Sequence, residues 1–262
     1  HTSRCDEDYA NLSRFGIQTV RESIGWRLAE SNVKQHHKNL SEKMHHAQQH
    51  NIQINWTLCH YGWPENLPLF SPEFIARFAE WSYQIAVYLR PFYNQPPVYS
   101  PINEISFLSW GISVGLFPAG HDERVCDPDA VKQQLVRAAL AACHAIKAAD
   151  TRARFLHCDP IIHLVADQSD ATSHKHAAVM NQAQFQAWDM LAGRKHAELG
   201  GSPALLDMVG VNYYHSNQWE ASSGLPLAWH LGDARRLPLH SMLTTVYQRY
   251  STPLLLAETS HV

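Results

Sequence analysis

Two carboxylates in this chain follow apolar, β-forming runs and are placed to do acid–base chemistry. Glu104 stands beside Asn103 in SPINEISFLSWG, directly after PPVYSPI, and Glu258 follows PLLLA. An isolated Asn-Glu pair is most simply a solvated loop. Two carboxylates that face each other suit hydrolysis of a glycosidic bond, because one protonates the departing oxygen while the other attacks or stabilises the anomeric carbon. The positions of the surrounding helices and strands distinguish a solvated loop from a catalytic site.

Amphipathic helices alternate with short β-forming runs along the whole sequence. The patterns predict helices at 6–15, 34–50, from Ser71-Pro72-Glu73 onward, from Asp127-Pro128 onward, 177–199 and 239–250. They predict strands within 17–26 and at 52–58, 98–102, 154–158, 205–214 and 253–257. Short apolar strands alternating with such helices favour a parallel sheet that is buried on both faces.

Six strand–helix repeats favour an α/β chain folded as a (β/α)8 TIM barrel rather than a doubly wound sheet. Polar residues follow five of the six predicted strands, at His60, Asn103-Glu104, Asp159, Asn212-Tyr213-Tyr214 and Glu258. Barrel enzymes place their sites at this carboxyl end of the strands. Composition marks no boundary, so we expect one domain over residues 1–262, with Glu104 and Glu258 across its mouth.

An ionised nucleophile needs cationic and hydroxyl donors nearby, whereas the acid must stay protonated. Arg21, on the first predicted strand, and Tyr214 are candidates to hold Glu258 ionised. Asn103 and His60 are candidates to bind sugar hydroxyls. Trp63, Trp110 and Trp219 lie in segments expected to overhang the mouth, where they could stack on sugar rings, although a single tryptophan more commonly packs in the core or at the rim.

Five segments resemble glycoside hydrolase family 1, the β-glucosidase and 6-phospho-β-glycosidase family of retaining barrel enzymes. TLCHYGWPENL is similar to its Thr-Leu-x-His-Trp-Asp-Leu-Pro segment, and SPINEISFLSWGISVGLFPAG to its Asn-Glu-Pro segment and following Gly-x-x-x-Pro-x-Gly loop. VGVNYY, VRESIGW and LLLAETS resemble the family's Gly-x-Asn-Tyr-Tyr segment, Arg-Phe-Ser-Ile-Ser-Trp strand and Thr-Glu-Asn-Gly nucleophile strand. All five occur in the family's order.

This resemblance implies Glu104 as acid/base and Glu258 as nucleophile, with Arg21 and Tyr214 orienting the nucleophile. It implies that His60 and Asn103 bind the glycone, and Asn212 joins them as a substrate-binding candidate. The sequence departs from the family where Ile105 replaces a proline, where Tyr61-Gly62-Trp63 replaces Trp-Asp-Leu, and around Glu258. These departures suit a divergent branch or a neighbouring family of the same clan, and they leave the sugar open.

The matched segments correspond to strands two to seven of the family's barrel. Strands one and eight have no counterpart, so we expect an incomplete barrel, cut at both ends, with two exposed sheet edges.

Composition excludes several other classes. The net charge is -3 and no run of Lys or Arg exceeds two residues, which does not indicate nucleic acid or a membrane surface as a partner. No apolar stretch is long enough to span a bilayer and no leader is visible. Five scattered cysteines without a Cys-x-x-Cys pair fit free thiols in a reducing compartment, and we therefore expect a cytoplasmic protein. The expected partner is a small β-glycoside or oligosaccharide, without a cofactor; the oligomeric state is open.

Two alternatives remain. The unmatched strands and altered motifs also suit a non-catalytic sugar-binding or scaffolding remnant of a glycosidase. The eighteen histidines and the segment His157-Cys158-Asp159 suggest a second alternative, a metal-dependent hydrolase. However, the histidine clusters lack metal-ligand spacing, so we expect no metal site.

Overall fold

The computed structural model describes residues 2–29, 32–167 and 170–260. Within these ranges the strands are β1 (Thr19–Ser23), β2 (Gln53–Cys59), β3 (Val98–Ile102), β4 (Arg154–Pro160), β5 (His163–Val165), β6 (Met208–Asn212), β7 (Gln218–Glu220) and β8 (Leu254–Glu258). The α-helices are α1 (Cys5–Arg14), α2 (Trp26–Ala29), α3 (Val33–Gln49), α4 (Phe74–Leu89), α5 (Ile105–Ser113), α6 (Pro128–Ala149), α7 (Ala171–Ala183), α8 (Gln186–Leu191) and α9 (Leu239–Tyr250). Short 3-10 turns lie at Thr2–Arg4, Arg90–Phe92, Glu123–Cys126, Ala197–Leu199, Pro203–Leu205 and Trp229–Leu231.

The chain divides into two compact units. Unit 1 consists of His1–Asn103 and Leu108–Leu156, and unit 2 of Glu104–Phe107 and His157–Val262. Strands β1, β2 and β3 belong to unit 1, β6 and β8 belong to unit 2, and β4 is shared between them.

The main strands are parallel. In unit 1 the order is β1-β2-β3-β4, and the register pairs Arg21 with Asn55 and Thr57 with Ser100. In unit 2 the order is β4-β6-β8, and β6 and β8 are parallel neighbours. Because helices connect successive main strands, this is the β/α alternation expected from the sequence. The short strands β5 and β7 form a separate parallel pair in unit 2.

Trp26 anchors the apolar core of unit 1. It is fully buried at the start of α2, and its ring lies 4.9 Å from Phe78, 5.5 Å from Trp81 and 5.9 Å from Phe74. All three partners are themselves buried and lie on α4. Such aromatic contacts hold α2 and α4 together.

Helix α6 begins as expected, whereas the predicted start of α4 and the predicted extent of the helix over 177–199 are wrong. Asp127 accepts hydrogen bonds from Asp129 N and Ala130 N, so it caps α6 ahead of Pro128. By contrast, α4 begins at Phe74 without a side-chain cap, and within the described chain the buried Ser71 hydroxyl makes no hydrogen bond. The helix predicted over 177–199 is in fact α7 and α8, separated by Gln184 and Phe185 and followed by a turn.

Glu22, a charged residue within β1, forms a partly buried ion pair with Lys43. The Lys43 Nζ lies 2.6 Å from Glu22 Oε2, and the two side chains are 10% and 12% exposed. The Tyr9 hydroxyl also donates to Glu22 Oε1 at 2.9 Å. Burial, followed by the nearby Glu22 charge, raises the pKa of Tyr9 above its ordinary value. Strand β1 is thereby tied to α1 and α3.

None of the helices in the described ranges is long and apolar enough to cross a bilayer.

Candidate active site

Glu258 is the last residue of β8, and strand β6 supplies its neighbours. The parallel register pairs Asn212 with Glu258, and an irregularity between Val211 and Asn212 shifts the ladder there. Such bulges re-aim a side chain at the end of a strand. Tyr213 N donates to the Glu258 carbonyl at 3.0 Å, and the Tyr214 hydroxyl donates to Glu258 Oε1. The carboxylate is therefore held by its partner strand.

Glu104 follows β3 in an unusual backbone conformation. Its φ is +49°, in the left-handed region, which costs an ordinary residue about 1–3 kcal/mol and persists only where the surroundings fix it. The residue is 6% exposed, and its N–H donates to the Cys158 carbonyl at 2.9 Å. Backbone strain of this kind is concentrated at functional sites, which keeps Glu104 a candidate site residue.

The side-chain amide of Asn212 joins the two carboxylates. Its Nδ2 donates to Glu104 Oε1 at 2.8 Å and lies 3.5 Å from Glu258 Oε2. Because both distances share one nitrogen, those two oxygens are no more than about 6.3 Å apart, the two distances placed end to end. Asn212 is fully buried. The geometry thus brings Glu104 and Glu258 together and gives Asn212 a place between them.

Asp159, at the end of β4, is bonded to the segment that carries Glu104. Its Oδ2 accepts from the Ser106 hydroxyl at 2.7 Å, and both carboxylate oxygens are near Ser106 N, at 3.1 and 3.3 Å. Ser106 lies in the first turn of α5, two residues after Glu104. The sequence placed Asp159 at a strand end but gave it no role.

A second group of predicted site residues lies in unit 1. Arg21 Nη1 donates to Asn103 Oδ1 at 2.6 Å and to Thr57 Oγ1 at 3.3 Å. Asn103 is fully buried, and its Nδ2 lies 3.4 Å from Nε2 of the exposed His60. The structure therefore brings Arg21, His60 and Asn103 together. The role predicted for Arg21, orientation of Glu258, stays a prediction.

The three tryptophans occupy different environments. Trp63 is 7% exposed, donates its indole N–H to the Leu67 carbonyl and packs edge-on against Phe74. This is a core position, so the expectation that Trp63 overhangs a mouth is corrected. Trp110 lies on α5 with 49% of its surface exposed, and Trp219 lies half-buried in β7, paired with Leu164. Their stacking roles stay predictions.

His157 is packed inside the protein and contacts the backbone. It is buried, its Nε2 lies 2.9 Å from the Leu205 carbonyl, and burial lowers its pKa to about 4. In the part of the chain that the structure describes, no group of three or more His, Cys, Asp or Glu side chains is arranged to hold a metal ion.

Comparison with known proteins gives structural matches only. No family model matches the sequence, and no curated protein does so either. Among solved structures, a β-glucosidase from Thermotoga maritima in complex with glucoimidazole matches with a TM-score of 0.74 at 16% identity, over 99% of this chain and 67% of the other. The β-glycosidase from Thermosphaera aggregans matches with a TM-score of 0.74 at 14% identity, over 98% and 68%.

The virulence factor SghA from Agrobacterium tumefaciens matches with a TM-score of 0.72 at 17% identity, over 97% of this chain and 65% of the other. The chain has the fold of the β-glycosidases. This confirms, at the level of fold, the family resemblance read from the motifs and the TIM-barrel class read from the alternating elements. The chain spans only 65% to 68% of the lengths of these three solved structures.

Proposed function

We propose that this chain hydrolyses the O-glycosidic bonds of β-glycosides with retention of configuration. Glu258 attacks the anomeric carbon while Glu104 protonates the departing oxygen, which breaks the glycosidic bond and leaves a glycosyl ester on Glu258. Glu104, now ionised, then takes a proton from water as the water attacks the anomeric carbon, and Glu258 is released as a carboxylate. The proton that Glu104 gives to the leaving group in the first step is regained from water in the second.

The observation that carries the proposal is the Asn212 amide between the two carboxylates. The bound of about 6.3 Å applies to Glu104 Oε1 and Glu258 Oε2 and includes the ~5–5.5 Å typical of retaining pairs. An inverting enzyme needs room for a water between sugar and base, and its carboxyl groups stand ~6.5–9.5 Å apart. Two carboxylates that share one amide nitrogen therefore support retention.

The assignment of roles follows from the neighbours of each carboxylate. Glu258 receives the Tyr214 hydroxyl, and such a donor stabilises an ionised carboxylate. Glu104 is buried, which favours a neutral acid that can give up its proton. The family resemblance assigns the same two roles.

The substrate class is a small β-glycoside or an oligosaccharide. The SghA structure holds its substrate analog salicin and the Thermotoga maritima structure holds glucoimidazole, so β-glucosides are the first probes. His60 and Asn103 are the proposed glycone-binding residues.

The test compares Glu258→Ala and Glu104→Ala on two β-glucosides, one with a 2,4-dinitrophenyl leaving group and one with an alkyl leaving group. Glu258→Ala removes the nucleophile, so kcat on both substrates is expected to fall by several orders of magnitude. Glu104→Ala is expected to lower kcat/KM about 10²- to 10⁴-fold on the alkyl glucoside and far less on the activated one, since that leaving group needs little protonation.

Glu198→Ala serves as the control, because Glu198 is an exposed carboxylate on the surface. Proton NMR of the first product anomer reports retention or inversion. Near-parental turnover by Glu258→Ala, or an inverted first product, would show the proposal to be wrong. Sugar binding without turnover by the parent protein would favour the non-catalytic alternative.

A further inference from the structure

We propose that Asp159 is a positioning residue for Glu104. Its carboxylate anchors the first turn of α5 and thereby fixes the direction in which the Glu104 side chain leaves the backbone. This inference rests on the proposed function, because it assigns Glu104 the acid/base role.

The anchor is a buried carboxylate with two donors on one residue. Asp159 is 1% exposed. It accepts the Ser106 hydroxyl at 2.7 Å and the Ser106 N–H at 3.1 Å. Hydrogen bonds to an ionised acceptor are roughly twice as strong as neutral ones. The N-terminal turn of a helix also favours a negative charge, so the location suits an ionised Asp159.

Strand β4 holds the chain on both sides of Glu104. Cys158 O accepts the Glu104 N–H at 2.9 Å, and the next residue of the strand, Asp159, binds Ser106. The two anchors bracket a residue whose φ of +49° needs external support. Removal of the Asp159 anchor takes away one of these two supports.

Loss of the Asp159 anchor is expected to displace the acid, Glu104, and to leave the nucleophile, Glu258, in place. Glu104 Oε1 is 2.8 Å from Asn212 Nδ2, and a change in the α5 turn moves that oxygen. A displacement of about 1 Å at a reacting group can cost about 100-fold in rate. Glu258 belongs to β8 and is held by Tyr214, so attack on the anomeric carbon is unaffected.

If Asp159 had a purely structural role, its replacement would have a different effect on turnover. Loss of a helix anchor alone would lower stability and reduce turnover of all substrates by the same factor. A positioning role changes the ratio between substrates that need protonation and those that do not. The ratio of kcat/KM for the two β-glucosides is therefore the readout.

The experiment uses Asp159→Ala, Asp159→Asn and Ser106→Ala. For Asp159→Ala we expect kcat/KM to fall about 10- to 100-fold on the alkyl glucoside and less than about 3-fold on the dinitrophenyl glucoside. Asp159→Asn keeps one acceptor oxygen and is expected to recover part of the loss. Ser106→Ala removes only the hydroxyl donor, so we expect a smaller decrease in kcat/KM that again affects the alkyl glucoside more than the dinitrophenyl glucoside. This variant replaces Asp159→Ala in the test if Asp159→Ala does not fold.

The matched control is Asp189→Asn. Asp189 is a buried carboxylate of the same unit that binds Arg249 and Tyr250, so its replacement reports general damage. We expect Asp189→Asn to lower activity on both substrates equally, if at all.

A readout that needs no turnover is the side-chain carboxyl ¹³C resonance of Glu104, assigned with Glu104→Gln. We expect it to shift in Asp159→Ala and Ser106→Ala but not in Asp189→Asn. An unchanged resonance together with an unchanged substrate ratio would overturn the positioning role. A shifted resonance in a protein that hydrolyses no glycoside would remove the proposed function and leave the anchoring of Glu104 standing.

Discussion

The Asn212 side chain donates a 2.8 Å hydrogen bond to the carboxylate of Glu104, although 108 positions separate the two residues in the chain. The same nitrogen lies 3.5 Å from Glu258 Oε2. Two carboxyl groups so close together cannot easily both be ionised, and a shared amide donor stabilises whichever of them carries the charge. Asn212 therefore has a direct role in keeping the pair together.

Replacement of Asn212 tests that role. Asn212→Ala removes the shared donor and is expected to lower kcat/KM about 10- to 100-fold on both β-glucosides. Asn212→Asp places a third carboxylate between two others, so we expect it to be worse than alanine. The measurement is kcat/KM of Asn212→Ala and Asn212→Asp on both β-glucosides. Asn217→Ala is the control, since Asn217 is a buried amide that binds backbone carbonyls. Parental activity in Asn212→Asp would contradict the shared-donor role.

Tyr214 donates to Glu258, so Tyr214→Phe removes one stabilising donor from the nucleophile. We expect about a 10- to 100-fold decrease in kcat that does not depend on the leaving group. This pattern differs from that of Glu104→Ala, which spares activated substrates. Tyr213→Phe is a matched control, because the Tyr213 hydroxyl contacts Gln218 and Arg236 instead. Equal effects of the two Tyr→Phe changes would refute the assignment.

The ion pair of Glu22 and Lys43 is expected to stabilise unit 1, because each charge is largely removed from water and is neutralised by the other. Lys43→Met removes the cation that faces Glu22, and we expect the free energy of unfolding to fall by about 2–4 kcal/mol. The double change Glu22→Gln and Lys43→Met is expected to recover most of this loss. Urea denaturation measures both.

The control for that experiment is Lys38→Met, since Lys38 and Glu42 form an exposed pair at 3.7 Å that contributes little. A double variant no more stable than Lys43→Met alone would show that the loss does not come from an uncompensated charge.

His157 predicts a dependence of stability on pH. Burial lowers its pKa to about 4 in the folded protein, whereas the unfolded chain has the ordinary value of 6.5. Between these values the unfolded state binds the proton and the folded state does not. Stability from this group is therefore complete above pH 6.5 and falls as the pH drops towards 4, by up to about 1.4 kcal/mol per pH unit.

The measurement is the free energy of unfolding of the parent and of His157→Gln between pH 7 and pH 4. Glutamine does not titrate, so the difference between the two curves isolates this histidine from the carboxylates. We expect the parent to have the steeper decline. Parallel curves would mean that His157 is protonated equally in both states.

Much of the fold could be read from the sequence because its signals are local. The strand over 98–102 and the helix over 239–250 have the predicted bounds, since apolar period and turn residues mark both ends. The helix predicted over 177–199 was wrong because its continuous polar and alanine-rich pattern conceals the break at Gln184. The strand pair β5 and β7 is too short for a periodic signal.

The site was readable in part for the same reason. Strand-end positions indicated Glu104, Asn212, Tyr214 and Glu258, and the structure brings these four together. The role of Asp159 could not be read, because its partner Ser106 lies 53 positions away and depends on strand order. The ion pair of Glu22 could not be read either, because Lys43 and Tyr9 lie 21 and 13 positions away from it in the chain. Trp63 resembled a rim residue, but its indole N–H is satisfied in the core.

The central claim is that Glu258 forms a covalent glycosyl ester, and mechanism-based labelling tests it most directly. The protein is incubated with 2,4-dinitrophenyl 2-deoxy-2-fluoro-β-glucoside, whose fluorine slows hydrolysis of the ester, and peptides are then mapped by mass spectrometry. Our account predicts one 2-fluoroglucosyl adduct, located on Glu258 and absent from Glu258→Ala. An adduct on another residue, or turnover of the parent β-glucoside with no adduct formed, would contradict it.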